Sequence, residues 1–532
     1  MTEIDKKAEA IKIKNEANKL FSEKKFKEAI EAYTKAIKLD SSVPAFYSNR
    51  AQCYIRTELY GAAIEDASEA IKLDNSFTKG YYRRAAALLA MGEIGKARND
   101  FKIVVARMPN DKAVKDKLRT VTQMFKEMMF AEAISGQEDD RLVSSIIDLM
   151  DYPLENDYSG PRMKLREKST EESSVNSETA KKDESSTGQR VENGVNTNDK
   201  ENEILEYVDK EFVDSLTVWF KDQKKLPLRY MYAILILLQR YLRPLESLID
   251  VKIEKDSILN ICGDVHGQYY DLLNIFKLAG EPSKTNTFLF NGDFVDRGSF
   301  SIETVMLLFA YKLLYPDHFF LNRGNHESLN MNKIYGFEGE ILAKYGKYHG
   351  PRLFDLFQET FNVLPVAHLV QEKIFVVHGG LYSEEMEAVD DTANIKGVTL
   401  DMIRKINRTK QPSDGGLLTE LLWSDPQKMN GRAPNKRGVA IQFGPDITEK
   451  FLKLNNLSMI VRSHEQKDNG YEIDHDGKCV TVFSAPNYCD QMGNLGAFMK
   501  VSPSLEIEYK TFSAVPHPPV KSMAYASGSP FF

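Results

Sequence analysis

Cysteine is scarce, with four residues in 532: Cys53, Cys262, Cys479 and Cys489. No two form a Cys-x-x-Cys pair, so the chain offers neither a disulfide framework nor a zinc site of that kind. The expected compartment is a reducing intracellular one, the cytoplasm and also the nucleus. Long apolar runs are missing too. The longest, near Ala233 to Leu238, stops at Gln239 and Arg240, far short of the ~18 residues of a membrane span. The opening residues, Met1 to Lys7, hold no apolar signal core. Basic residues are not in excess: 70 Lys and Arg stand against 77 Asp and Glu, a net charge of −7, so nucleic acid is not the expected partner. What is present is an ordinary globular composition, 42% apolar and 28% charged. At ~100–200 residues per domain the length suits two to four domains.

Residues 1–150 read as helix and repeat with a period of 34 residues. Ala17 maps onto Ala51 and Ala85, Ala29 onto Ala63 and Ala97, and Phe26 onto Tyr60 and Ile94. Ile37-Lys38-Leu39-Asp40 returns as Ile71-Lys72-Leu73-Asp74. Small residues recur where paired helices approach closely, and large ones where a gap must be filled. The pattern resembles tetratricopeptide repeats: helix pairs near 8–41, 42–75 and 76–109, then a capping helix. Lys14, Asn18, Asn49, Lys79 and Arg83 match, position by position, the carboxylate clamp of tetratricopeptide co-chaperones. The resemblance implies that they grip the acidic C-terminal tail of a heat-shock chaperone of the ninety-kilodalton class. Cations beside neutral amide donors suit a terminal carboxylate.

Residues 151–204 are expected to form a polar, partly disordered linker. Within it, Arg162 to Asn202 holds Ser, Thr, Glu, Lys and Asn with almost no aromatic residue, too little to bury a core. Thr170, Ser173 and Ser174 beside acidic residues are candidate phosphorylation sites in this tether. Residues 205–513 are globular again, and 514–532 form a tail.

Five short apolar runs then end in polar metal-ligand types. Ile258 to Cys262 leads to Asp264 and His266, and Phe288 to Phe290 leads to Asp293, Asp296 and Arg297. Phe319 to Leu321 leads to Arg323, Asn325, His326 and Glu327; Ile374 to Val377 leads to His378; Met459 to Val461 leads to His464. Amphipathic stretches between the first three runs, and spacings of 29 and 32 residues from Asp264 to Asp293 to Asn325, predict β-α-β-α-β units with parallel strands. Parallel strands deliver their C-terminal ends to one sheet edge. Two carboxylates, three histidines and an asparagine suit manganese, iron or zinc, and their number suits two ions sharing a carboxylate and a water. No cysteine has Arg six positions on (the residues there are Leu59, Gln268, Ala485 and Leu495), so cysteine-phosphatase chemistry is excluded. Gly92-Glu93-Ile94-Gly95-Lys96 is only a partial phosphate-binding loop.

Gly-Asp-x-His-Gly, Gly-Asp-x-Val-Asp-Arg-Gly and Arg-Gly-Asn-His-Glu occur together here. So do Leu422-Trp423-Ser424-Asp425-Pro426, Arg437-Gly438-Val439 and Ser484-Ala485-Pro486-Asn487-Tyr488-Cys489-Asp490. The segment resembles the metal-dependent protein serine/threonine phosphatases over nearly all of 205–532. The fold then implied is an all-α solenoid followed by an α/β metallophosphoesterase domain, a central β-sandwich flanked by helices. The resemblance implies one ion on Asp264, His266 and Asp293. It implies a second on Asp293, Asn325, His378 and His464. Arg297 and Arg437 would clamp phosphate oxygens, with Asn325 helping and Tyr488 lining the cleft. A hydroxide bridging the ions would attack phosphoserine or phosphothreonine. His326, paired with Asp296, is the candidate general acid, and the carboxylate is expected to raise the imidazole pKa and set its tautomer.

Other residues are expected to be bland. Asp296 could instead brace Arg297. Arg323 reads as structural and Glu327 as orienting a ligand. His318, His349, His368, His475 and His517 match no motif, and Asp474 to Gly477 reads as a hairpin turn. The resemblance also implies autoinhibition: repeats folded over the cleft, held by the tail, and released by chaperone tails or a fatty acid. A long tether is expected to weaken that closure. The competing expectation is a co-chaperone scaffold with a vestigial phosphatase fold, which an intact ligand set opposes.

Overall fold

The computed structural model describes residues 2–134, 142–165, 206–383, 397–413 and 415–526. Seven helices come first: α1 (Glu3–Ser22), α2 (Phe26–Leu39), α3 (Pro44–Arg56), α4 (Tyr60–Leu73), α5 (Thr78–Ala90), α6 (Ile94–Arg107) and α7 (Lys112–Ile134). A capping box between Thr2 and Asp5 starts α1, and a proline in its first turn starts α3. Ala17, Ala51, Ala85, Ala29, Ala63 and Ala97 are all fully buried, because only a methyl group fits where the helices cross. Two buried ion pairs keep the same step. Arg50 forks onto Asp66, and Arg84 onto Asp100.

The second region is built on two stacked sheets. Their strands are β1 (Leu248–Val251), β2 (Ile258–Cys262), β3 (Asn286–Phe290), β4 (Phe319–Leu321), β5 (Ala367–Val370), β6 (Ile374–Val377), β7 (Met459–Arg462), β8 (Tyr471–Asp474), β9 (Cys479–Val482), β10 (Gly496–Val501) and β11 (Ile507–Phe512). One sheet runs β11-β10-β2-β3-β4 and the other β8-β9-β7-β6-β5-β1. β2, β3 and β4 are parallel, as the spacing predicts, and so are β6, β7 and β9. Alternation along β3 sorts the two faces: Leu289 joins the core between the sheets, while Phe288 and Phe290 face the helices outside. Those helices include α8 (Lys210–Lys221), α9 (Leu228–Leu242), α10 (Tyr269–Ala279), α11 (Ser301–Leu314), α12 (Leu329–Tyr335) and α13 (Phe337–Val363).

The tether expectation needs correction. Residues 142–165 already belong to the second region: Ile147, Leu149 and Met163 lie in its core, and the Leu149 carbonyl accepts from Arg229 at 2.7 Å. Lys164–Leu165 pairs antiparallel with Glu206–Tyr207. The chain therefore leaves this ladder and returns to it across 166–205, a stretch outside the described residues that includes Thr170, Ser173 and Ser174. That stretch does not join the repeats to the sandwich. Its ends are fixed on one body, so its length does not set the local concentration of the repeats.

Candidate active site and metal centre

The C-terminal ends of β2, β3 and β4 deliver Asp264 and His266, Asp293, and Asn325 and His326. The facing sheet supplies His378 after β6 and His464 after β7. The turns beneath are tight. His266, Asp293, Asp296, Arg297 and His464 all have positive φ, between 40° and 70°. Gly292 and Gly324 let two loops touch, since a Cβ on Gly292 would sit 2.5 Å from the Gly324 backbone.

All six expected ligands are buried. His266 Nε2 lies 3.7 Å from Asp264 Oδ2 and 3.4 Å from Asp293 Oδ2, and His378 Nε2 lies 3.4 Å from the same Asp293 oxygen. Asp293 thus sits between two donor groups, one with His266 and His326 and one with His378 and His464. The Asn325 amide points at His378 Nε2 at 2.8 Å, His464 Nδ1 at 3.0 Å and Asp293 Oδ2 at 3.1 Å, where its nitrogen donates; a half-turn of the amide would present its oxygen to a cation. His464 Nε2 is buried without a partner. Burial pushes the Asp264 carboxyl up to about 8, with help from Asp293, and raises Asp293 well above the carboxylate range. Burial also drives His266 and His464 well below the usual imidazole value. Carboxylates reluctant to ionise and histidines held neutral, with lone pairs converging, fit divalent cations.

His326 Nδ1 lies 2.8 Å from Asp296 Oδ2. Its pKa is not raised as expected. Burial, then Arg297, His378 and Arg437, hold it well below the usual value, and burial lifts Asp296 itself to about 7. Asp296 accepts from His326, Asn332 and the Phe337 N–H.

Arg297 and Arg437 are nearly buried beside this cluster. Arg437 donates to Asp425 Oδ2 and the His464 carbonyl, both at 2.8 Å. Arg297 stacks 3.8 Å above the Tyr335 ring. Its Nη2 meets Glu58 Oε1 of the repeats at 2.8 Å and the Tyr60 hydroxyl at 3.3 Å. Glu58 Oε2 also lies 3.9 Å from Arg437, and Tyr488 donates to Glu58 at 3.4 Å. The first free N–H groups of α4, on Gly61 and Ala62, donate to the Arg437 and Lys436 carbonyls. A Cβ on Gly61 would stand 2.7 Å from the Gly438 nitrogen, so glycine permits this approach. The Tyr335 hydroxyl donates to the Ala90 carbonyl at 2.8 Å. A cavity of about 600 Å³ remains, walled by Leu59, Met91 and Trp423 as well as by the cluster.

The calcineurin-like phosphoesterase model matches residues 259–468, and the model for the PPP5 TPR repeat region matches 118–250. Two tetratricopeptide models match 17–57 and 44–77. The chain is 45% identical to serine/threonine-protein phosphatase 5 of Homo sapiens over 97% of its length and 93% of the human protein. The chain belongs to the serine/threonine-protein phosphatase 5 family. It is 47% identical to serine/threonine-protein phosphatase T of Schizosaccharomyces pombe, covering 98% of both chains. A solved phosphatase from Saccharomyces cerevisiae, described as similar to human phosphatase PP5, aligns at a TM-score of 0.53 and 44% identity, covering 57% of this chain and 96% of its own.

Within this member of the phosphatase 5 family the five clamp candidates lie on α1, α3 and α5. The Asn18 carbonyl oxygen accepts from Tyr33 (2.6 Å) and Asn49 (3.3 Å), which leaves the Asn18 amide N–H groups for the groove. Arg83 stacks beside Tyr82, and its Nε is buried without a partner. Burial and the charge of Arg56 depress its pKa. Lys14 is half-buried and Lys79 exposed. Arg323 donates to three backbone carbonyls and Asn362, a structural role. The Glu327 carboxylate accepts the N–H groups of Asp293, Phe294 and Gly324, holding the ligand turn. Asp474 to Gly477 closes the β8–β9 hairpin. Sequence reasoning missed Glu58. It sits in a helix turn with no motif, and its only signal is register: Lys24 and Gly92, one repeat away on either side, share its left-handed backbone.

No helix of the described residues is long and apolar enough to cross a membrane.

Proposed function

We propose that this phosphatase removes phosphate from phosphoserine and phosphothreonine in proteins, and that its repeats shut its own cleft until a partner draws them away. Two divalent cations on Asp264, His266, Asp293, Asn325, His378 and His464, with manganese, iron and zinc as candidates, would supply an activated water and offset charge building on phosphorus. Arg297 and Arg437 fork onto the phosphoryl oxygens, Asn325 adds a contact, and Tyr488 walls the cleft. His326 gives a proton to the leaving oxygen as its bond to phosphorus breaks, while Asp296 holds the ring.

The observation that carries this reading is Glu58 on Arg297. A carboxylate from the repeats occupies the guanidinium suited to phosphate. Lys14, Asn18, Asn49, Lys79 and Arg83 would take the C-terminal carboxylate of a ninety-kilodalton-class chaperone tail. α3 carries Asn49, and the turn after it carries Glu58, so a ligand in the groove bears on the closure. A fatty-acid carboxylate would act through the same cations. Four free cysteines support a reducing compartment, cytoplasm and nucleus.

The test is p-nitrophenyl phosphate hydrolysis by the full chain in manganese. Glu58→Ala removes the carboxylate that meets buried Arg297 in the closed form, at a cost of about 2–5 kcal/mol, so the basal rate should rise at least tenfold. An unchanged rate would refute closure. A peptide with an acidic free C-terminus should activate, its C-terminal amide should not, and Arg83→Ala should abolish the difference.

A further inference from the structure

We propose that Asn332 is a positioning residue for proton donation: one amide sets both Asp296 and His326. The inference rests on the reading of His326 as general acid given above.

Asn332 is fully buried on α12. Its Nδ2 donates to Asp296 Oδ2 at 2.9 Å and to the His326 carbonyl at 2.6 Å. One group thus ties the carboxylate of one partner to the backbone of the other. Its Oδ1 accepts from Gln358 Nε2 of α13 at 2.8 Å. That contact fixes the orientation, because a half-turn of the amide would set oxygen against two acceptors and nitrogen against a donor. Gln358 is held in turn: its Oε1 faces Gln411 Nε2 at 3.4 Å, and Gln411 Oε1 accepts the Leu329 N–H at 2.9 Å.

The consequence reaches the imidazole. Asp296 Oδ1 takes the Phe337 N–H at 2.9 Å, and Oδ2 takes Asn332, so the carboxylate meets His326 as an acceptor. Nδ1 of His326 then keeps its proton against Asp296, and in the imidazolium form the Nε2–H is the proton that faces the cleft for transfer to the leaving oxygen. Beside the His326 ring lie the His266 ring at 4.8 Å and the Tyr335 ring at 5.2 Å between centroids. These fill space but do not select a tautomer. Remove the Asn332 amide and Asp296 keeps one backbone donor, about which it can swing; the ring follows.

The experiment compares kcat and KM of the full manganese-loaded chain on p-nitrophenyl phosphate, whose leaving group needs little protonation, and on phenyl phosphate and a phosphoserine peptide, whose leaving groups need much. Asn332→Leu should lower kcat about tenfold on the two poor leaving groups, within the ~100-fold that a small misplacement can cost. It should change kcat less than about twofold on p-nitrophenyl phosphate, with KM constant throughout. Gln358→Leu, which spares the dyad's direct contacts, should give the same pattern more weakly and carries the test if Asn332→Leu does not fold. In protein labelled with ¹⁵N-histidine and stripped of metal, the His326 Nδ1–H resonance, identified by its loss in His326→Asn, should broaden into solvent exchange in Asn332→Leu. Equal loss on all substrates, or an unchanged resonance, would overturn the positioning role. If His326→Asn itself shows no leaving-group dependence, the general-acid reading fails instead.

Discussion

Glu58 occupies a place where the backbone favours glycine. Its φ is 61°, and the third repeat puts Gly92 at the same step. A non-glycine residue there costs about 1 kcal/mol, which the contact of the Glu58 carboxylate with Arg297 offsets. Glu58→Gly should therefore raise basal turnover as Glu58→Ala does while lowering the thermal midpoint less, a split that melting curves and rate assays of the two variants would check. The same strain marks His266, Asp293, Asp296, Arg297 and His464. Their chemistry was legible in the sequence, since Asp, His and Asn after short apolar runs, flanked by glycine, are what a crowded strand edge needs. The direction of the His326 shift was not legible. It depends on burial and on two guanidiniums that meet only in three dimensions.

The repeat helices were legible because their 34-residue register survives in buried alanines. The tail was not, because its conformation is made by contacts with other elements. The Val515 N–H donates to Asp271, Ser299 donates to the Lys521 carbonyl, and the Met523 N–H donates to the Arg297 carbonyl. Met523 packs among Ala86, Ala90 and Ile334, between the repeats and the sandwich. His517, expected to be bland, has Nε2 3.1 Å from Asp490 and Nδ1 2.7 Å from the Pro518 carbonyl. Two acceptors call for two N–H groups, so the geometry selects the imidazolium. The Pro518 carbonyl and Asp490, with Asp271 beyond, outweigh partial burial and raise its pKa. A group raised by docking of the tail stabilises the docked tail, and through Met523 the closed form, fully below its ordinary pKa and loses that effect as pH rises through the raised value. The ratio of wild-type to Glu58→Ala turnover should therefore climb by up to about fivefold from pH 6 to 8.5, the scale of a part-exposed ion pair. In Asp490→Asn the ratio should be flatter.

At the scale of the whole molecule, the repeats followed from periodicity, the parallel strands from spacing and the sandwich from the family resemblance, but the path between the two parts did not. Composition distinguishes a polar stretch from a core; it does not say which bodies its ends are attached to. The Lys164–Leu165 ladder with Glu206–Tyr207 answers that. Replacing 166–205 with a short turn should leave basal turnover and peptide activation within about twofold of the full chain, because both ends of that stretch are attached to the same ladder. The candidate metal ligands also divide between the two sheets: Asp264, His266, Asp293 and Asn325 hang from one, His378 and His464 from the other. A cation on Asp293, Asn325, His378 and His464 would be held from both sheets and would rivet the seam of the sandwich. Ions at a thousandfold excess over their dissociation constant would add about 4 kcal/mol per site. Chelation should consequently do more than silence the enzyme: it should lower the melting temperature and speed amide exchange at the ends of β6 and β7 together with β2 to β4, as the two halves lose their shared fastening.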